Sequence, residues 1–381
     1  MINPFDFPGV GVISFGVDRV EKMADDLTEL EEKGTAVVLI SDAGVARAGI
    51  LDRVKTILQH SGRDVAVFAD LESEPRAESV DRAAAVVRRC ENPCVIGLGG
   101  GSALDVAKLA AVVVGGDRPV EDYALCAHPL PKRVLKTIMI PTTAGTGTEV
   151  TRNAIFKNRE GRKVWAWGQE LRPDRVILDP RLTLSMPAHV TAASGLDALV
   201  HAIEACTSQQ RNQLSDSLAL YAIRLGKEHL VTAIEKPGNL TARGGMLLAS
   251  TLAGLAFGAT GTAAAHSIGH ALATIASIPH GRAVAIALDA ILEWNAEASP
   301  EAFSAVAEAL GAHKRAEDAA PAFRALIEQT GIDRSLADEE IDPETLADLM
   351  LAEENRPMLE NNARHITATD ALELARRTVS L

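Results

Sequence analysis

Aromatic residues are scarce: Phe, Trp and Tyr together make up 3% of the 381 residues. Such a chain offers few π faces on which unpaired bases could stack. Positive charge is in deficit too, with 38 Lys and Arg against 51 Asp and Glu and a net charge of −13. That balance argues against binding to nucleic acid or to an anionic membrane, both of which attract basic surfaces. Four cysteines, Cys90, Cys94, Cys126 and Cys206, cannot build a disulfide framework in so long a chain. Cys90 and Cys94 form a C-x3-C with no second pair, so a zinc ribbon is not expected. The opening MINPFDFPG lacks a basic n-region and an apolar h-region, so no signal peptide is read and a reducing cytoplasm is expected. Hydrophobic residues at 47% and charged residues at 23% exclude global disorder. At about 150 residues per domain, the length points to two domains or three.

One stretch tests the expectation of a protein without a membrane partner. From Gly244 to Gly281 there is no Asp, Glu, Lys or Arg, a run long enough to span a bilayer. It is built from Gly, Ala, Ser and Thr rather than Leu, Ile and Phe, and it holds His266, His270 and His280. A buried core segment fits that composition better, and its three histidines then need partners.

The first half alternates. β-branched runs at 36–41, 65–69, 94–99 and 137–141 are separated by helical patterns at 17–32, 45–59, 77–89 and 103–114. Alternation at this spacing predicts a parallel sheet with helices on both faces. A last run, VILDP, ends at Pro180, and beyond Pro187 the chain is Ala- and Leu-rich with helical periodicity. The expected architecture is a Rossmann-like α/β domain over residues 1–184, then an all-α domain over 185–381.

Three elements at strand ends offer donors or acceptors to a nucleotide. In Gly97-Leu98-Gly99-Gly100-Gly101-Ser102, a strand runs through glycines into a helix. Glycine lets the backbone approach a ligand, and a helix N-terminus aims free N–H groups at it. The G-x-G-x-x-G template starting at Gly97 meets Ser102 at its last place, so this is a pyrophosphate cradle by its physics and not by that fingerprint. Ser102 can cap the helix or donate to an anion. The loop Pro141–Thr151 carries five threonines and two glycines after another strand. Ligands gather at the carboxyl ends of parallel strands, so two such loops reinforce each other. Asp42 ends the first long run. It can accept from a ribose diol and repel a 2′-phosphate, or simply cap the next helix.

Asp197 and His201 are i and i+4, and so are His266 and His270; His280 follows in Pro279-His280-Gly281, read as a turn. The neighbours Leu196, Leu199, Val200 and Ile203 leave little solvated face around the first pair. One carboxylate with two or three imidazoles suits Zn²⁺, Fe²⁺ or another first-row ion, not Ca²⁺ or Mg²⁺. Spacing alone leaves open which histidines ligate.

With GGGSALDVAK at 99–108, PTTAGTGTEVT at 141–151, GLDALVHAIEA at 195–205 and AHSIGHALATIASIPHG at 265–281, the chain resembles the iron-containing (group III) alcohol dehydrogenases along nearly its whole length. The resemblance implies an NAD(P)-dependent enzyme of dehydroquinate synthase-like architecture. It interconverts an alcohol with its aldehyde or ketone by hydride transfer, beside a divalent cation acting as a Lewis acid. It places the metal ligands on Asp197, His201, His266 and His280, with Fe²⁺ expected ahead of Zn²⁺, and sets the catalytic His270 beside the nicotinamide. It places dinucleotide contacts on Asp42, Gly99, Gly100, Ser102, Asp105, Thr142, Thr143, Thr146, Thr151 and Lys163, and Asn153 near the substrate. Phe257, Trp165 or Trp167 and the segment after Thr260 are further expected pocket residues. NAD is expected over NADP because of Asp42, and a homodimer or larger assembly is expected from the family's habit.

Glu74 stands where the family usually has Asn, Gly269 where it has Ala, Thr148 where Ser is more frequent, and Ala363 where Pro is common. A dehydroquinate synthase-type carbon–oxygen lyase shares the fold, NAD and a metal. It would need basic residues around a phosphorylated acid, and the helical motifs here are poor in Lys and Arg. A non-catalytic dinucleotide- and metal-binding protein is the other alternative.

Overall fold

The computed structural model of the protein describes residues 5, 7, 9–30, 36–72, 74–276 and 278–381. Its β-branched runs become strands, β2 (Ala36–Ile40), β3 (Asp64–Phe68), β4 (Cys94–Gly99), β5 (Thr137–Pro141) and β8 (Arg175–Leu178), joined by one that was not expected, β1 (Val12–Phe15). They form one six-stranded sheet in the order β1-β8-β5-β4-β2-β3, parallel throughout. Alternate residues serve opposite faces. Val38, Ile40, Val95 and Met139 pack with α4 (Ala77–Arg88) and α5 (Gly101–Val113). Val37, Leu39, Ile96 and Ile138 pack with α1 (Met23–Leu30) and α3 (Ile50–His60). Each strand is thus apolar on both sides, which is why it reads as an unbroken hydrophobic run.

Several expected boundaries move. The helix expected over 17–32 is a 3-10 turn, Arg19–Lys22, followed by α1; its last two residues lie outside the described residues. The helix expected over 45–59 is two, α2 (Ala43–Arg47) and α3, separated at Gly49, whose φ of 74° is left-handed. An antiparallel hairpin that the sequence reading did not anticipate, β6 (Asn153–Lys157) with β7 (Lys163–Trp167), precedes β8.

After Pro187 no strand occurs among the described residues. The helices are α6 (Ala188–Thr207), α7 (Gln213–Glu235), α8 (Leu240–Thr260), α9 (Ala264–Ile275), α10 (His280–Ala296), α11 (Pro300–Ala309), α12 (Ala319–Thr330), α13 (Pro343–Met350), α14 (Arg356–Glu360) and α15 (Ala368–Val379). By its internal contacts the chain divides into an α/β unit, Gly9–Thr143 with Gly147–Met186, and a helical unit of Pro187–Leu381 that takes in Ala144–Thr146. Residues 244–281 are split between α8, α9 and the first turn of α10. By length and composition α8 could cross a membrane, yet 67% of its apolar window is buried inside the protein, where it packs on α6 and α7.

Candidate active site

In the helical unit, α6 buries nearly every residue from Gly195 to Thr207, and its polar residues therefore face protein. Asp197, one turn before His201, is 2% exposed and His201 is 6% exposed. From α9 comes His266, 3% exposed. One donor atom from each of the three lies within 4.8 Å of the others. Asp197 Oδ1 is 3.5 Å from His201 Nδ1, 3.7 Å from His266 Nε2 and 3.7 Å from His280 Nε2. His280 is the first residue of α10, capped by Pro279, and not part of a free turn.

Among the described residues, Asp197 Oδ1, His201 Nδ1 and His266 Nε2 have no hydrogen-bond partner. Buried polar atoms left this way cost free energy. Their separations are too long for hydrogen bonds. They match two ligands of one ion: donors about 2.1 Å from a tetrahedral centre stand about 3.4 Å apart. The donor set fits a divalent first-row cation.

The electrostatics agree. Burial opposes ionisation of Asp197, but the imidazoles of His201, His280 and His266 outweigh it and hold its carboxyl well below the usual carboxylate range. Burial pushes His201 down to about 4, against the pull of Asp197, so its imidazole is neutral at pH 7. Burial opposes protonation of His266 as well, but Glu204 and Asp197 raise it to about 9. Glu204 was not singled out in the sequence. Its Oε2 lies 2.5 Å from His266 Nδ1 and accepts from Ala263 N, while Oε1 accepts from Ala265 N and His266 N. The signal was there: three residues after His201 it puts a second carboxylate on the apolar helix.

Around this cluster, Phe257 of α8 is buried and stacks on His201, ring centroids 4.3 Å apart at 17°. His270 sits half-buried one turn beyond His266, 6.2 Å from that ring and 5.4 Å from His280. Asn361 donates to Thr260 O and Thr262 O, fixing the link from α8 to α9.

In the α/β unit, β4 runs into α5 through the glycines. Gly99 has φ 155°, and a Cβ there would lie 2.7 Å from Ala103 Cβ and 2.9 Å from Asp42 Oδ2. Only glycine allows that closure, and it brings the Asp42 carboxylate against the glycine backbone. Asp42 Oδ1 caps α2, accepting from Gly44 N and Val45 N. The N-cap of α5 is Gly100, so Ser102 is its second residue and not its cap. Thr142 N donates to Gly99 O, joining the two loops.

Asp105 and Thr151 are buried, with polar atoms already engaged. Asp105 Oδ1 accepts from Thr148 Oγ1 and pairs with Lys108, while Oδ2 accepts from Ile155 N. Lys108, 1% exposed, donates to Thr148 O and Asn153 O and lies 3.4 Å from Thr151 Oγ1. Lys163 opens β7 and pairs with Glu74 at 2.7 Å; Lys157 pairs with the same carboxylate. Asn153 begins β6, Trp165 lies in β7, and Trp167 is half exposed under the Arg152 guanidinium. Thr143 and Thr146 are partly buried.

The family described as iron-containing alcohol dehydrogenase matches residues 11–180, and its C-terminal counterpart matches residues 191–379. The chain belongs to the iron-containing alcohol dehydrogenase family. It is an oxidoreductase of alcohols and aldehydes. It is similar to the 1,3-propanediol dehydrogenase of Klebsiella pneumoniae, 32% identical over 92% of this chain and 93% of that one. It is 33% identical to the choline dehydrogenase of Bacillus subtilis (strain 168), over 81% of this chain and 77% of that one. Among solved structures, the sulfoacetaldehyde reductase of Bifidobacterium kashiwanohense in complex with NAD+ superposes with a TM-score of 0.88 at 30% identity, covering 99% of each chain. An alcohol dehydrogenase family, rather than a lyase of the dehydroquinate synthase type or a non-catalytic binder, accounts for residues 11–180 and 191–379. The names of these relatives carry three different substrates: 1,3-propanediol, choline and sulfoacetaldehyde.

Proposed function

We propose that this iron-containing alcohol dehydrogenase works on a small alcohol or aldehyde with NAD(H), using a divalent cation held by Asp197, His201, His266 and His280. The observation that carries the proposal is the convergence of Asp197, His201 and His266, whose facing atoms are buried without hydrogen-bond partners among the described residues, with His280 Nε2 3.7 Å from the same Asp197 oxygen. Fe²⁺ is the proposed ion from the family, with Zn²⁺ equally suited to one carboxylate and three imidazoles. When bound, the cation would supply Lewis acidity toward the alcohol or carbonyl oxygen and a nicotinamide would supply the hydride chemistry.

The chain's own residues do the rest. Asp197 contributes a standing negative charge, and His201 a neutral imidazole. His270, beside the donors but not among them, takes the alcohol proton and passes it toward solvent. Phe257 walls His201, and Asn153 with Trp165 or Trp167 supplies contacts toward substrate. Gly99, Gly100, Ser102, Thr142, Thr143 and Thr146 take the dinucleotide phosphates, Asp42 the ribose and Lys163 a further dinucleotide contact. Asp105 and Thr151 serve the same nucleotide by holding those loops from behind. In this division residues 1–184 bind dinucleotide and residues 185–381 carry the catalytic ion. We further propose a homodimer or larger assembly. Four free cysteines fit a reducing cytoplasm.

The test is reconstitution of metal-stripped protein with Fe²⁺ or Zn²⁺, followed by NAD+ and NADP+ reduction with C2–C6 alcohols, diols and hydroxy acids. Activity should return with metal; full activity in stripped protein refutes the assignment. His266 adds a pH signature. Its site in the ion-free protein holds a proton below about pH 9, and a cation at Nε2 must displace it. Metal affinity should therefore rise with pH until about 9, measured by chelator competition. An affinity flat from pH 6 to 9 contradicts this donor set.

A further inference from the structure

Glu204 lies inside α6, 3% exposed, and faces the start of α9. Its two oxygens receive four donors. Oε1 accepts from Ala265 N at 2.7 Å and His266 N at 3.3 Å; Oε2 accepts from Ala263 N at 2.9 Å and from His266 Nδ1 at 2.5 Å. Three of these are amides at the N-terminus of a helix, which a capping carboxylate satisfies, although His266 N also donates to Ala263 O at 3.1 Å. The fourth is the imidazole itself, and capping does not account for it.

A carboxylate only accepts, so Nδ1 must carry the hydrogen. The lone pair of a neutral His266 is then on Nε2, the atom 3.7 Å from Asp197 Oδ1. We propose that Glu204 is a positioning residue for the metal: it fixes the tautomer and ring plane of His266 and ties that ring to the first turn of α9. The proposal rests on the metal reading given above. One carboxylate holds both the helix end and the imidazole, so the His266 ring cannot turn without giving up its hydrogen bond to an oxygen that the helix end already fixes. The general consequence is a preorganised ligand of raised basicity.

Glu204→Gln tests it. An amide keeps one accepting oxygen but puts N–H groups where the other oxygen received two donors. In the full-length protein, stripped and titrated with Zn²⁺ against a chromophoric chelator, the variant should bind about 10- to 100-fold more weakly than the parent. In a His266→Ala background the same change should cost no further affinity, because the ring it positions is gone. Equal losses in both backgrounds, or unchanged Zn²⁺ affinity with only a lowered thermal midpoint, mean that Glu204 is a helix cap and overturn the proposal.

Should Glu204→Gln fail to fold, the zinc-loaded parent protein gives the answer directly. Proton–nitrogen correlation on ¹⁵N-histidine should show His266 protonated at Nδ1, identified by its loss in His266→Ala. Protonation at Nε2 overturns the proposal. A parent protein that takes up no Zn²⁺ removes the metal reading and this inference together; a parent that binds, with a variant binding as tightly, removes this inference alone.

Discussion

His266 and His270 share one face of α9, and a helix by itself gives no reason why only one should hold a cation. The proposed choice of His266 rests on its ring: Nε2 lies 3.7 Å from Asp197 Oδ1 and Nδ1 is taken by Glu204, while the His270 ring lies 5.4 Å from that of His280. His270→Ala should retain the metal and lower kcat by about 10- to 1000-fold, the scale of lost proton transfer. His280→Ala should lose metal. Metal content per chain after gel filtration, with initial rates, checks both; loss of metal from His270→Ala and retention by His280→Ala reverses the assignment. Asp42 is the second residue with a divided role. One oxygen caps α2 while the other faces Gly99. Asp42→Asn keeps an accepting oxygen for the cap and removes the charge that repels a 2′-phosphate. The preference for NAD+ should shrink by about 1–3 kcal/mol in kcat/KM; a parent enzyme equally fast with NADP+ ends that argument. These residues were legible as candidates by type and spacing, with the separate roles of the histidines supplied only by the resemblance. Glu204 was not, since an acidic residue on an apolar helix announces burial but not its partner, which lies 62 residues on.

Elements bring those residues together, and the strands were the easiest to read. Runs buried on both faces, such as Cys94–Gly99, have no competing helical period. β6 and β7 were missed because NAIFK and KVWAW are short and the intervening NREGR is charged, so neither stands out until they pair. The break at Gly49 was hidden because the apolar period continues across it. Gly269 is a case where a departure from family habit has a local explanation. A Cβ there would lie 2.5 Å from Val284 Cγ1 and 3.2 Å from Val284 N, so α9 and α10 close on each other only without a side chain. That closure sets His266 against His280, the rings 5.7 Å apart. Gly269→Ala should therefore destabilise the protein by about 1–3 kcal/mol through overpacking and weaken Zn²⁺ binding. Adding Val284→Ala should recover part of both, because the nearest clash is with the valine side chain. Denaturant unfolding and chelator competition read the two effects; a Gly269→Ala protein as stable and as tight as the parent shows that α9 can move without consequence.

At the scale of the whole chain, the two chemistries divide by sequence. Every proposed metal donor follows Pro187, and the glycine loop and Asp42 precede Met186. Binding energy stabilises only the structure that binds, as RT ln(1 + [L]/Kd), about 2.7 kcal/mol at a hundredfold excess of free ion over Kd. In a unit of some 150–250 residues each kcal/mol raises the midpoint by about 2–4 °C, so loading the ion should raise the melting of the helical unit by about 5–10 °C. Opening of the helices that carry the proposed donors, α6, α9 and α10, is what a bound ion would oppose. Amide hydrogen exchange should slow there on adding Zn²⁺ to stripped protein, while β2, β4 and β5 change little. NADH should do the converse, protecting the turns after β4 and β5 in stripped protein. If Zn²⁺ protects β4 and α5 as strongly as α6 and α9, the ion is held by residues other than the four proposed, or the two units unfold as one.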